Sequence, residues 1–162
     1  MKTPIIVAIL LIIAAAGFVF LDLGMKKTPD EGGLGQATTT PQGPSTTYTN
    51  ATTDNIVVST PLPGSTVGSE FTVSGNARGT WYFEASFPVK VLGANGQELV
   101  QLPAQATEDW MTENFVPFSV KVTVPNYSGA ATLVLHKDNP SGEAKFDASV
   151  SIPIVIASTT VQ

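Results

Sequence analysis

The chain has 162 residues, of which 43% are hydrophobic and only 13% charged, and a net charge of -5 with an isoelectric point near 4.6. That length allows one domain plus accessory segments. The acidic balance excludes a nucleic-acid partner and a polybasic lipid-binding surface, both of which need clustered cations. The absence of cysteine excludes disulfide scaffolds, thiolate zinc sites, cysteine nucleophiles and a lipid-modified N-terminal cysteine.

Residues 1–27 read as a signal anchor. Lys2 precedes an apolar run over 4–21, and Asp22, Lys26 and Lys27 close it. Eighteen residues make about 27 Å of helix, just enough for a hydrocarbon core of about 30 Å. Ala14-Ala15-Ala16 resembles a signal-peptidase site, but Phe18 to Leu21 continue the apolar run beyond it, which favours an uncleaved anchor. Lys2 with the amino terminus balances Lys26 with Lys27, so the character of the rest of the chain orients the segment. The expectation is a single-pass cell-membrane protein, with the membrane as partner through 4–21 and the C-terminal domain outside the cytoplasm.

Residues 28–54 read as a disordered linker, with nine Thr, four Gly and three Pro. Leu34 and Tyr48 are its only bulky apolar side chains, too few for a core. Residues 55–157 carry the folded domain, and 158–162 a short tail. The domain's signal is alternation of apolar and polar residues between turn clusters. An opening strand lies near Ile56–Val58, and Phe71 and Val73 share a face. Trp81, Phe83, Ala85, Phe87, Val89 and Val91 continue one apolar face, opposite Tyr82, Glu84, Ser86 and Lys90. Val100 to Ala106, Val116 to Val124, Leu133 with Leu135, and Phe146 to Ile156 follow. Turn clusters at Pro61–Gly64, Ala94–Gly96, Pro125–Gly129 and Asn139–Gly142 separate them. The pattern predicts an all-β, immunoglobulin-like antiparallel β-sandwich of about seven strands. Prolines 88, 103, 117 and 153 fall inside strands and predict edges or bulges.

The run Gly79-Thr80-Trp81-Tyr82-Phe83-Glu84-Ala85-Ser86-Phe87-Pro88-Val89 resembles the signature of the bacterial spore germination immunoglobulin-like domain, a GerM-associated family. Three further pieces fit in order. They are Ile56 through Pro63-Gly64, Asp109-Trp110-Met111 leading to Phe115-Val116-Pro117-Phe118, and Lys137 to Gly142 before Ile152-Pro153-Ile154. The resemblance spans nearly all of 55–157. It implies an immunoglobulin-like sandwich in a bacterial envelope protein, with no catalytic motif to carry over.

Candidate chemistry is sparse. His136 is the only histidine, it falls on the outward parity of its strand, and no Gly-x-Ser-x-Gly elbow accompanies it. Glu84 with Glu108, Asp109 or Glu113 are the candidates for paired-carboxylate work on a glycan; the plainer reading is surface charge. Asp138 to Glu143 offers oxygen ligands, but not at calcium-loop spacing, and a hairpin turn explains the same residues. The candidate binding surface is Tyr82, Glu84 and Trp110. Tyr82 is expected outward by parity, Trp110 in an open loop, and Trp81 in the core. No catalytic residue, cofactor or metal is implied. The expected function is a membrane-anchored, non-catalytic binding or scaffolding module of the cell envelope, its partner an envelope protein or cell-wall glycan. The alternative is a glycan-binding or glycan-cleaving protein that uses exposed aromatics and carboxylates.

Overall fold

In the computed structural model, residues 42–158 are described. Nine strands follow in chain order: β1 (Thr47–Thr49), β2 (Ile56–Thr60), β3 (Thr66–Val67), β4 (Glu70–Arg78), β5 (Ser86–Gly93), β6 (Glu98–Ala106), β7 (Phe115–Thr123), β8 (Gly129–His136) and β9 (Ser149–Ile156). Two three-residue 3-10 turns, Gly79–Trp81 and Ala144–Phe146, are the only helical elements among the described residues.

The strands form one hydrogen-bonded path, β1-β9-β8-β5-β6-β7-β4-β2, with β3 also paired to β9. Every pairing is antiparallel except β3 with β9. The path curls at β6. That strand pairs with β5 over its length but meets β7 only at Gln105↔Ser119 and Ala106↔Phe118. The two arms of the sheet thereby face each other across one core, and the rings of Phe87 on β5 and Phe118 on β7 meet edge to face at 5.0 Å. Trp81, Phe87, Phe118, Leu133, Leu135 and the β9 isoleucines are fully buried, and among the described residues no polar or charged one is buried.

Three expectations need correction here. The sandwich of about seven strands is a continuous, curled, half-barrel-like sheet of nine, because β6 bridges the two layers. The linker expected to be disordered contributes β1, in which Thr47, Tyr48 and Thr49 pair with Ser151, Val150 and Ser149. Backbone pairing to an open strand edge orders these residues, and Tyr48 packs half-buried against the core. Third, the described helical elements are three residues long, where a membrane span needs about 20, and no described helix is long and apolar enough to cross a membrane. The run 4–21, like residues 28–41 and 159–162, lies outside the described residues. The membrane anchor, the membrane partner and the single-pass topology with the domain outside the cytoplasm are therefore withdrawn, and with them the description of function as membrane-anchored.

The prolines stand inside strands where pairing on one side is interrupted. Pro88 and Pro103 face each other, next to where β8 leaves β5 and where β6 has no second neighbour. The Pro117 carbonyl accepts the Thr107 N–H just past β6, and the Pro153 carbonyl accepts the Gly64 N–H in the gap between β1 and β3. A residue without an N–H is tolerated at such positions.

Candidate functional site

Strand direction gathers four connections at one end of the sheet: residues 50–55, 79–85, 107–114 and 137–148. The register pairs that border them are Ile56↔Ala77, Arg78↔Phe115, Ser86↔Gln105 and His136↔Ser149. Of the sequence pieces that carry the family resemblance, Ile56, Gly79 to Ala85, Asp109 to Met111 and Lys137 to Gly142 lie here, whereas Pro63-Gly64 follows the far end of β2, where Gly64 bonds Pro153.

These connections are tied to one another. Arg78 Nε donates to the Asp54 carbonyl at 2.9 Å and Nη1 to the Glu113 carbonyl at 3.2 Å, with the guanidinium 4.2 Å over the Phe115 ring. Gly79 donates its N–H to the Asn114 carbonyl at 3.1 Å. A Cβ on Gly79 would collide with the carbonyl oxygens of Thr112 and Trp110, so only glycine lets the 107–114 loop lie this close. Asp138 N–H donates to the Trp81 carbonyl at 3.0 Å. The side chain of Asn50 donates to the Asp147 carbonyl at 3.0 Å, and that of Asn139 to Asp147 Oδ1 at 2.7 Å.

The expected strand face beginning at Trp81 is broken. The 3-10 turn ends at Trp81, and Phe83 and Ser86 then exchange backbone hydrogen bonds around a two-residue hairpin turn. Glu84 and Ala85 at its apex have φ of 49° and 62°, the left-handed region that such turns require and that costs a non-glycine residue about 1–2 kcal/mol. Period two therefore fails between 81 and 86. Trp81 and Tyr82 both turn inward, and Phe83 is 43% exposed.

Of the expected surface, Tyr82 is only 4% exposed. Its hydroxyl donates to the Val116 carbonyl at 2.8 Å and its ring packs on Phe87 at 5.2 Å. Burial pushes its phenol well above the ordinary range. Glu84 is exposed at the hairpin apex. Trp110 is half-buried and packs against the core, anchoring a loop in which Met111 N–H donates to Asp109 Oδ1 at 3.0 Å. Gly79 lets the Trp110 backbone lie against the end of β4; Tyr82 belongs to the interior. Glu108, Asp109 and Glu113 are exposed on the same loop.

His136 is half-buried at the end of β8. Burial, and secondarily Lys90, hold its imidazole below the usual histidine range, with Asp147 opposing. The Asp138–Glu143 segment closes on itself. Ser141 Oγ donates to Asn139 Oδ1 at 2.6 Å and accepts the Glu143 N–H at 3.2 Å. Among the described residues no group of three His, Cys, Asp or Glu side chains is placed to hold a metal.

Two features escaped sequence reasoning. Of the seven exposed large hydrophobic residues among those described, four lie at this end: Phe83, Met111, Phe115 and Phe146. Met111 stands in a loop; Phe146, expected on the apolar face of the closing strand, lies instead in the Ala144–Phe146 turn ahead of β9; and the failed periodicity hid Phe83. Trp81 is the second: it is 2% exposed and its indole N–H has no acceptor. It lines a cleft of about 240 Å³ with Asn55, Lys137, Lys145, Phe146 and Asp147.

A curled, half-barrel-like β-sheet with cross-tied loops at one end, and no assembled catalytic set among its described residues, defines a small all-β domain of immunoglobulin-like type. The chain belongs to the family described as the immunoglobulin-like domain of bacterial spore germination, which matches residues 55–144. A search of curated proteins finds no match.

Proposed function

We propose that this chain is a non-catalytic adaptor domain that holds a partner protein at its loop end. The observation that carries the reading is the concentration of exposed large hydrophobic side chains on loops whose backbones are locked to one another. Exposed apolar groups on a preorganised surface favour association, because little conformational entropy is lost on docking. Membership of an immunoglobulin-like family supports it, since such sandwiches present binding loops at their ends. The test is photo-cross-linking in the producing cells, with the cross-linker at Met111 or at Lys121 on β7. Discrete adducts from position 111 and none from 121 are expected. Equal labelling from both, or none from either, contradicts the reading.

A further inference from the structure

The charge of the domain is segregated. Eight of the described carboxylates lie in the four loop-end connections: Asp54, Glu84, Glu108, Asp109, Glu113, Asp138, Glu143 and Asp147. Only Arg78, Lys137 and Lys145 offset them there. The two remaining described carboxylates are each neutralised on the sheet, Glu70 by Lys121 at 2.9 Å and Glu98 by Lys90 at 2.9 Å. All the surplus negative charge of the described residues therefore sits at the end that carries Phe83, Met111, Phe115 and Phe146.

We infer that the loop end receives an extended, lysine- or arginine-bearing peptide segment of a partner protein, with apolar residues between the basic ones. The inference deepens the adaptor reading and rests on it. Two independent observations select that occupant. The charge demands a cationic complement, and exposed carboxylates within a Debye length of about 8 Å act together on an approaching chain. The exposed apolar side chains demand non-polar groups interspersed among the charges. Lys145 is already engaged with Glu143 at 2.7 Å. The basic side chains of the segment reach the carboxylates of the 82–86 hairpin and the 107–114 loop. A nucleic acid or an anionic lipid surface would be repelled, and so would the same end of a second copy.

The probe is a fluorescent, acetylated and amidated peptide of alternating lysine and leucine, titrated by anisotropy into the full chain. A glutamate–leucine peptide is the control. Two double variants remove equal charge from different places: Glu108→Gln with Glu113→Gln at the loop end, and Glu70→Gln with Glu98→Gln on the sheet. The lysine peptide binds, the glutamate peptide does not, and raising salt from 50 to 300 mM weakens binding. The loop-end double weakens it about fivefold or more, and the sheet double changes it less than about twofold, as screening of separate surface charges requires. Equal losses from the two doubles would reduce the effect to net charge and overturn the inference. Binding of the glutamate peptide or failure of the lysine peptide would also overturn it. Cross-links at Met111 without lysine-peptide binding would leave the adaptor reading standing and reject only the basic partner.

Discussion

Gly79→Ala places one methyl group where the 107–114 loop crosses the end of β4. The added Cβ meets the carbonyl oxygens of Thr112 and Trp110, which are backbone atoms with no rotamer to move aside. The loop must shift bodily, and overpacking of this kind costs about 1–3 kcal/mol. The shift also breaks the Gly79 N–H bond to Asn114 and strains the Arg78 bond to the Glu113 carbonyl, each worth about 1 kcal/mol net. The expected loss is about 3 kcal/mol, or a fall in melting temperature of about 10 °C in a domain of this size. Urea unfolding followed by tryptophan fluorescence measures it, and Trp110 reports the loop directly. A loss below about 0.5 kcal/mol with unchanged denaturant dependence would show that the loop is not held against Gly79, and would refute the preorganisation argued for this surface.

Tyr82→Phe strands the Val116 carbonyl that accepts its hydroxyl and should cost about 1–2 kcal/mol in urea unfolding. Because the folded state holds the Tyr82 phenol above its unfolded value of 10, wild-type stability falls as pH rises above 10, where only the unfolded chain releases the proton. The variant loses that part of the alkaline slope, and an unchanged slope contradicts the assignment. Burial holds His136 below its ordinary 6.5, so the unfolded chain takes up a proton first and stability declines as pH drops below 6.5. In His136→Gln the urea midpoints at pH 7 and pH 5 should draw closer, and an identical gap would show that His136 is not the group involved. Replacing Glu84-Ala85 by Asn-Gly supplies residues suited to two consecutive left-handed positions and should stabilise the domain by about 1–2 kcal/mol in a thermal melt; destabilisation would contradict the hairpin geometry.

The regular strands were the legible part of the fold. In β7 and β9, Val116, Phe118, Val122, Ile152, Ile154 and Ile156 alternate with outward residues and are all buried, because one face of each strand packs on the core. β1 was hidden in a Thr-rich stretch because Tyr48 is its one apolar side chain against the core and the rest of its attachment is backbone bonding to β9, which leaves little trace in side-chain pattern. Tyr82 and Phe83 were assigned to the wrong sides because a 3-10 turn and a tight hairpin interrupt the period between two strand-like stretches. Trp110 was expected in the open, and its packing depends on the glycine at 79, far away in sequence. Segregation of charge is the least legible feature. Asp54, Glu84, Glu113 and Asp147 become neighbours in one end only through strand direction, and the neutralising pairs on the sheet only through register.

The most direct test of the account is amide chemical-shift mapping of the full chain during titration with the lysine–leucine peptide. The account predicts perturbations confined to residues 50–55, 79–85, 107–114 and 137–148. Shifts centred on the outer faces of the sheet, or on the open edges of β2 and β6, would contradict it.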